Sequence, residues 1–408
     1  MELNYNIIKD ISRSHGDAFY LLDTEQFGLN YHELLAAFRK YYPETHIAYS
    51  YKTNYTPRLC RMIEDMGGYA EVVSDMELEI AKRVGVPMEK IHFNGPVKNT
   101  DAAREVILGG GIVNLDDYSE VPAVMQIARE HPEKTISIGI RCNFNVGDGV
   151  VSRFGFDVEK PTFTQMLHEL KAAGNIQIAG LHCHFASRRQ ETWKPRAEGM
   201  CRLVDECSPE MPDHIDLGGG LFGKMKNSLK AQFGMHIPTY KEYAQEAAAT
   251  VSKHFEGLDN RPKLFIEPGS ALVGDAMRFV ARVKSIKDIR GKAIATLMGS
   301  IYNINPTLNK KNPPITVMHD PADGEAVDYH DLDFAGFTCI ESDYLYRGYD
   351  GPLTIGDFVV FENVGSYSVV LKPPFILPNF PVLEITDHGI DIIKRQETFD
   401  DLFHTFNF

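Results

Sequence analysis

Cysteine is sparse in this chain and shows no pairing pattern. Cys60, Cys142, Cys183, Cys201, Cys207 and Cys339 are the only six in 408 residues, with neither CxxC spacing nor a Cys/His spacing suited to zinc. A disulfide scaffold and a structural zinc module are both excluded by that pattern, and free thiols in a reducing compartment are expected. No apolar run is long enough to cross a bilayer, so no membrane segment is expected. The opening MELNYNIIKDISRSHGD lacks a basic start followed by an apolar block, so it does not read as a signal peptide, and a cytoplasmic protein is expected. Positive charge is in deficit: 42 Lys and Arg stand against 56 Asp and Glu, a formal net charge of −14. A nucleic-acid binder needs a basic face and is disfavoured; most of the excess acid is read as solvated surface. Internal repeats and low-complexity tracts are absent, and so is the GxGxxG fingerprint of a dinucleotide fold.

What is present is a regular alternation. Strand-like runs at His46–Tyr51, Tyr69–Val73, Lys90–Asn94, Ile112–Leu115, Thr135–Cys142, Gln177–His184, His214–Leu217 and Lys263–Glu267 alternate with helix-like stretches such as Thr56–Met66, Asp75–Val84, Thr192–Cys207 and Tyr240–Phe255. Eight strands spread over roughly 240 residues fit an α/β fold of the (β/α)8 TIM-barrel type better than a doubly wound sheet. After Ala276 the pattern changes. Strand-like runs at Arg278–Ile286, Ala293–Leu297, Ile315–Met318, Asp357–Phe361 and Val382–Ile385 are joined by Pro- and Gly-containing loops. Two domains are expected: a barrel over 28–276, and a β-rich domain built from 277–408 together with an opening strand inside 1–27.

Chemistry in such a barrel sits at the C-terminal ends of its strands, and the unusual polar residues fall there. Lys52 ends the first strand in HIAYSYKTNY, Arg141 and Asn143 end the fifth, His184 the sixth, Gly218–Gly220 the seventh and Glu267 the eighth. A lysine closing a buried strand can be desolvated and attack a carbonyl as a Schiff base, or it can simply cap the strand and reach for solvent. The glycine triplet of IDLGGGLFG bares backbone N–H groups that suit an anion, although such clusters also make ordinary turns. In GLHCHFAS, His182 and His184 share a strand face; two histidines without an acidic partner motif are a poor metal site, so no metal is expected. One imidazole can instead stack on an aromatic cofactor, with Ser187 beside its phosphate. Glu267 in LFIEPGSALVGDAM can act as a base or hold a ring nitrogen protonated. Downstream, FTCIESDYLYR carries Cys339, Glu341 and Asp343, and VGSYSVVLKPPF presents Tyr367 after a glycine turn.

Taken in order, these stretches resemble the fold-type-III pyridoxal-phosphate enzymes, and within them the ornithine/diaminopimelate/arginine decarboxylase family. The resemblance covers nearly the whole chain. It implies pyridoxal 5'-phosphate held by Lys52 as an internal aldimine, stacked by His184, with its phosphate bound by Ser187, Gly218, Gly219, Gly220, Gly269 and Tyr367. Glu267 would pair with the pyridine nitrogen, and Arg141, Glu77 and His92 match positions near the cofactor. It also implies a homodimer with shared active sites, in which Cys339 and Asp343 cross into the partner's site and Cys339 donates a proton. An acidic residue opposite the ring nitrogen favours decarboxylation over the alternative, an amino-acid racemase or epimerase on the same barrel. A non-catalytic cofactor-binding protein is disfavoured by the additional β-rich domain.

The departures from the family pattern bear on the substrate. Ser270 stands where the family has the arginine of Glu-Pro-Gly-Arg, Ala186 replaces a glycine after His184, and Glu71 replaces an aspartate. In CIESD, Glu341 falls one residue later than in diaminopimelate enzymes, and the loop MGSIYNINPTLNKK, which holds Tyr302, lacks their Arg-Pro pair. These changes point away from diaminopimelate itself. The expected substrate is a diamino acid or a carboxylated conjugate of one, in siderophore, polyamine or other specialised metabolism. Glu341 and Asp343 suit a distal amine, and Arg188 and Tyr302 are the further substrate contacts expected.

Overall fold

The computed structural model describes residues 3–407 except 208–210, 306, 308–309 and 321–325, and the side chain of Cys207 is outside the description. The chain forms two compact units. One comprises 28–222 and 237–271; the other comprises 1–27, 223–236 and 272–408.

The strand β1 (Ala18–Leu22) belongs to the second unit; the barrel begins at β2 (Thr45–Ser50). It continues through β3 (Tyr69–Val72), β4 (Ile91–Phe93), β5 (Ile112–Leu115), β6 (Ile136–Asn143), β8 (Ile176–His182), β9 (His214–Asp216) and β10 (Lys263–Ile266), with a two-residue strand β7 (Phe156–Asp157) added beside β6. Neighbours pair in parallel around the ring, and β10 closes on β2 through the register Phe265↔His46. This is the expected eight-stranded barrel, with strand ends moved by one or two residues. The helices between strands begin with capping side chains where the sequence offers them. Ser74 accepts from the Glu77 N–H, and Thr239 with Glu242 forms a reciprocal cap before Tyr240–His254.

The lumen of this barrel departs from the branched aliphatic filling such barrels ordinarily have. Its lower layer is aromatic and imidazole: His46 stacks on Phe265 at 5.2 Å, Tyr69 meets Phe265 edge-on at 4.8 Å, and His92 stacks on His214 at 5.2 Å. Burial pushes His46 down to about 4 and His214 well below the usual range, so these two rings are neutral. Gly180 makes this layer possible, because a Cβ there would lie 2.1 Å from His214 Nε2. Above it lies a polar layer of Glu71, Asn94, Asn114, Arg141, His182, Asp216 and Glu267, all buried.

The second unit is built on a nine-stranded mixed sheet. Its strands are β1, β11 (Met277–Ile289), β12 (Lys292–Leu297), β13 (Ile315–Met318), β14 (Val327–Ala335), β15 (Tyr344–Leu353), β16 (Phe358–Phe361), β17 (Val382–Thr386) and β18 (Gly389–Lys394). β1 lies between β11 and β17, so the opening strand does join this sheet. An N-terminal helix, Tyr5–His15, packs Tyr5, Ile8 and Ile11 against Phe19, Leu21, Val280, Phe358 and Leu383. The sequence reading missed that helix, together with β14, β15 and β18. The strand VDYHDLDFA is acidic and largely exposed in its first half, and most of YLYRGYDGPL is polar and only partly buried, so neither shows a half-buried alternation. Five described cysteines are free, Cys339 being exposed and the others buried. No helix among the described residues is long and apolar enough to cross a membrane.

A Gly180→Ala substitution is expected to cost about 1–3 kcal/mol by overpacking against His214. The double variant Gly180→Ala/His214→Ala should recover part of that loss, as read by denaturant unfolding.

Candidate active site

Lys52 sits in the single turn Tyr51–Thr53 that leaves β2, and its ammonium contacts Glu71 at the end of β3. The same carboxylate oxygen accepts from Ser50 Oγ at 2.5 Å. One turn into the following helix, Glu77 is buried and accepts from the Val73 N–H at 2.8 Å. Burial first, and the nearby Glu71 carboxylate second, raise Glu77 from 4.5 to about 7. Lys52 is therefore paired with Glu71, and Glu77 lies near enough for the charges of both to bear on it.

Glu267 follows β10 and is nearly fully buried. Asn94 Nδ2 donates to its Oε1, and Asn114 Nδ2 donates to Asn94 Oδ1 at 2.6 Å, so a two-amide chain orients the carboxylate. His182 Nε2 lies 3.2 Å from Glu267 Oε1 but off hydrogen-bond geometry. Asp216 accepts from Gly218 N–H at 2.8 Å and lies 3.4 Å from His92 Nδ1. His182, Asp216 and Glu267 bring their donor atoms within 4.8 Å of one another. Both carboxylates there already hold amide or backbone donors, which makes this a hydrogen-bonded acid cluster in character.

His184 stands just past β8. Gly219 N–H donates to its Nδ1 at 3.1 Å, so that nitrogen carries no proton and the 3.9 Å approach of Glu267 is not a hydrogen bond. Burial, then the Lys52 and Arg141 charges, push His184 well below the ordinary histidine range, consistent with a neutral ring. Arg141 donates to Asp116 at 2.8 Å and lies 3.4 Å from the Asn94 carbonyl, so it is anchored in the wall.

The glycines form a close-fitting loop. A Cβ on Gly218 would lie 2.2 Å from the Cys183 carbonyl, one on Gly219 2.6 Å from the Glu267 carbonyl, and one on Gly269 2.0 Å from Thr53 Oγ1. Gly218 and Gly220 also have left-handed φ of 68° and 94°. Sequence reasoning missed what holds this loop: Arg196, fully buried, donates to the carbonyls of Leu217 at 3.0 Å, Gly219 at 2.7 Å and Ser187 at 3.3 Å, and its guanidinium stacks on Trp193 at 4.2 Å. The Gly218 and Gly219 N–H groups are already taken by Asp216 and His184, so with the carbonyls turned toward Arg196 it is the Gly220 N–H that, among the described residues, has no partner and can meet an anion. The signal was one arginine in TWKPRAEG, inside a helix whose face could not be chosen without the fold. Arg188 Nη2 lies 3.5 Å from Ser270 Oγ, so a cation stands beside the position where the arginine of Glu-Pro-Gly-Arg was absent.

The glycine loop, the neutral imidazole, the lysine at the strand end and the oriented carboxylate fit pyridoxal phosphate. The remaining expected residues lie in the β-rich unit. Tyr367 has a left-handed φ of 63°, a strained conformation for a side chain of this size. Cys339 and Glu341 are exposed. Asp343 requires a correction. It is buried, Oδ1 accepts from Ser300 Oγ at 3.0 Å and Ile301 N–H at 2.8 Å, and Oδ2 accepts from Thr338 Oγ1 at 2.5 Å. Its lone pairs are spent holding the short helix Ile301–Ile304, which removes it as the partner of a substrate amine. Tyr302 lies on that helix.

The pattern of the family described as pyridoxal-dependent decarboxylase, pyridoxal binding domain, matches residues 30–274. Over the full length the chain is 27% identical to a diaminopimelate decarboxylase of Methanocaldococcus jannaschii, covering 96% of this chain and 92% of that one. It is 24% identical to the Bacillus subtilis diaminopimelate decarboxylase, with the same coverage of both. The crystal structure of the M. jannaschii diaminopimelate decarboxylase superposes with a TM-score of 0.86 at 24% identity, covering 98% of this chain and 94% of that one. A Vibrio vulnificus lysine/ornithine decarboxylase complexed with putrescine superposes with a TM-score of 0.74 at 19% identity, covering 93% and 98%.

Two outcomes are expected from this geometry. Between its unfolded value near 4.5 and about 7 the folded protein keeps the Glu77 proton that the unfolded chain releases, so this group's stabilisation is full below the lower value and is lost as pH rises through the upper. Glu77→Gln should therefore gain roughly 2 kcal/mol relative to wild type between pH 5 and pH 8 in thermal unfolding. Arg196→Met should weaken pyridoxal-phosphate binding at least tenfold, read by titration of the apoprotein.

Proposed function

The chain belongs to the pyridoxal-dependent decarboxylases, and from that premise we propose that it removes the α-carboxylate of a diamino acid or of a carboxylated conjugate of one. It is a pyridoxal-phosphate-dependent amino-acid decarboxylase; the substrate class, the residue roles and the assembly are our reading. The observation that carries this reading is the pairing of Lys52 with Glu71 at one strand end and the amide-oriented Glu267 at another.

When bound, pyridoxal phosphate supplies a conjugated pyridinium that accepts the electron pair left as CO2 departs from Cα. Lys52 would hold it covalently, with Glu71 and Glu77 taking up or sharing the charge of the amine. Glu267 would keep the proton on the ring nitrogen; the Asn114–Asn94 chain fixes the carboxylate's direction, so little reorganisation is needed. A cationic ring nitrogen is favoured by the surrounding charge, since the buried Glu71, Asp116, Asp216 and Glu267 outnumber the buried Arg141 and the partly exposed Lys52. His184, neutral and pinned by Gly219, would cover one ring face. Gly220, Gly269, Ser187 and Tyr367 would receive the phosphate, Gly218 and Gly219 shaping the loop while their N–H groups serve Asp216 and His184, with Arg188 beside Ser270 as an added cation. In a homodimer, Cys339 Sγ of a second copy would return a proton to Cα, and the exposed Glu341 would face the substrate's distal amine.

The first measurement is the absorption spectrum of the protein loaded with pyridoxal phosphate, before and after borohydride. A visible band that borohydride removes, with the adduct on Lys52 and absent from Lys52→Ala, is expected. A CO2-release screen over ornithine, lysine, diaminopimelate and carboxylated diamines follows, in which Glu267→Ala should keep the cofactor and lose at least 100-fold in kcat. A loaded protein that releases CO2 from no diamino substrate would overturn the substrate class.

A further inference from the structure

The β-rich unit contains a cavity of about 560 Å3 whose walls include Gln232, Tyr302, Lys310, Lys311, Asn312 and Arg347. Of its eleven lining residues three are cationic and none is acidic. That composition runs against the rest of the chain, in which acidic residues exceed basic ones by 14. A second groove, on the outer helices of the barrel, shows the contrast: Lys194, Glu198, Arg202, Asp205, Glu246 and Lys253 alternate in sign and neutralise one another.

The cationic walls are built rather than loosely draped. Asn312 Nδ2 donates to the Arg347 carbonyl at 2.8 Å while Arg347 N–H donates to Asn312 Oδ1 at 3.1 Å. Gln232 Nε2 donates to the Asn312 carbonyl at 2.8 Å and its Oε1 accepts from Asn312 N–H at 2.7 Å. Asn305 Nδ2 donates to the Lys311 carbonyl at 3.0 Å. Arg347 lies flat on Tyr344 at 3.7 Å with one nitrogen 3.0 Å from Asp333, and Lys311 Nζ is 5.0 Å from the Phe233 ring. Among the described residues, neither Lys310 nor Lys311 has a carboxylate partner.

We propose that this cavity binds a small organic anion bearing two or more carboxylates. Three cations brought to one concave wall repel one another, and an anion placed among them relieves that repulsion and is held by it. Two lysines without a carboxylate partner among the described residues and a half-engaged guanidinium call for more than one negative charge. The volume is that of a small-molecule site and far exceeds what one inorganic anion fills. The neighbouring amides and tyrosines offer neutral contacts along such a molecule's body. Two sources share this chemistry: a carboxylated end of the enzyme's own substrate, which rests on the decarboxylase reading above, or a separate metabolite acting as an effector, which does not.

The test is calorimetric titration of citrate into the full-length protein loaded with cofactor, at low ionic strength. One citrate per chain is expected, weakened at least tenfold in Lys310→Ala/Lys311→Ala and further in the triple variant with Arg347→Ala. Lys194→Ala/Lys253→Ala at the mixed groove should leave it unchanged. Absence of citrate binding, binding that survives the triple variant in a folded protein, or equally tight binding of inorganic phosphate would each overturn the proposal. Binding is read without turnover, so a protein that decarboxylates nothing still returns an answer. With a turned-over substrate in hand, a raised KM at unchanged kcat in the triple variant assigns the site to the substrate, whereas unchanged KM with citrate binding lost assigns it to an effector.

Discussion

A carboxylate moved out of water costs several kcal/mol unless donors replace its hydration, and an unpaired one is costlier still. The barrel of this protein buries Glu71, Glu77, Asp116, Asp216 and Glu267 in or beside its lumen. Lys52 and Ser50 serve Glu71, Arg141 serves Asp116, the Gly218 N–H serves Asp216, and Asn94 serves Glu267. Apart from Ser50 and Lys52, which share the end of β2, each donor comes from a different strand end or loop. The closed ring of strands is what brings them to one level, and the site exists only while that ring is closed. Glu77, with a backbone N–H and the more distant Lys52, is the least compensated, and its carboxyl is the one that holds its proton toward neutrality.

The layer beneath gives this acid cluster a floor. His46, Tyr69, His92, His214 and Phe265 pack ring against ring, and burial keeps His46 and His214 neutral. A neutral imidazole fills space like an aromatic ring while His92 still presents a nitrogen to Asp216. An aliphatic floor would leave that side of Asp216 without a polar neighbour. The glycine loop follows the same economy. Arg196, taken wholly out of solvent, donates its hydrogen bonds to carbonyls, while the Gly218 and Gly219 N–H groups go to Asp216 and His184.

Asp343 and Arg188 show how a motif can be legible while its role is not. Both were picked out as substrate contacts by their position in a recognisable stretch. The fold spends Asp343 on capping Ser300–Ile301, whereas Arg188 is carried across to Ser270. The spacing of CIESD is identical in either role; only the hydrogen-bond partners separate a buried acceptor from an exposed binding group.

The alternation of strand and helix, the lysine after the first barrel strand, the glycine triplet and the glutamate after the last strand were all local patterns, and local patterns are what a sequence carries on its face. They determined the barrel, its mouth and the cofactor chemistry. The strands β14, β15 and β18 escaped because they are largely exposed and show no half-buried alternation; the helix Tyr5–His15 does carry an apolar face at Tyr5, Ile8 and Ile11, a signal that was present and was passed over. What only tertiary structure decided was partnership across long separations: Asn94 with Glu267, Arg196 with Gly219, Gly180 beneath His214. Those pairs come from different strands and loops, and their meeting follows from the closure of the ring rather than from any neighbouring residue.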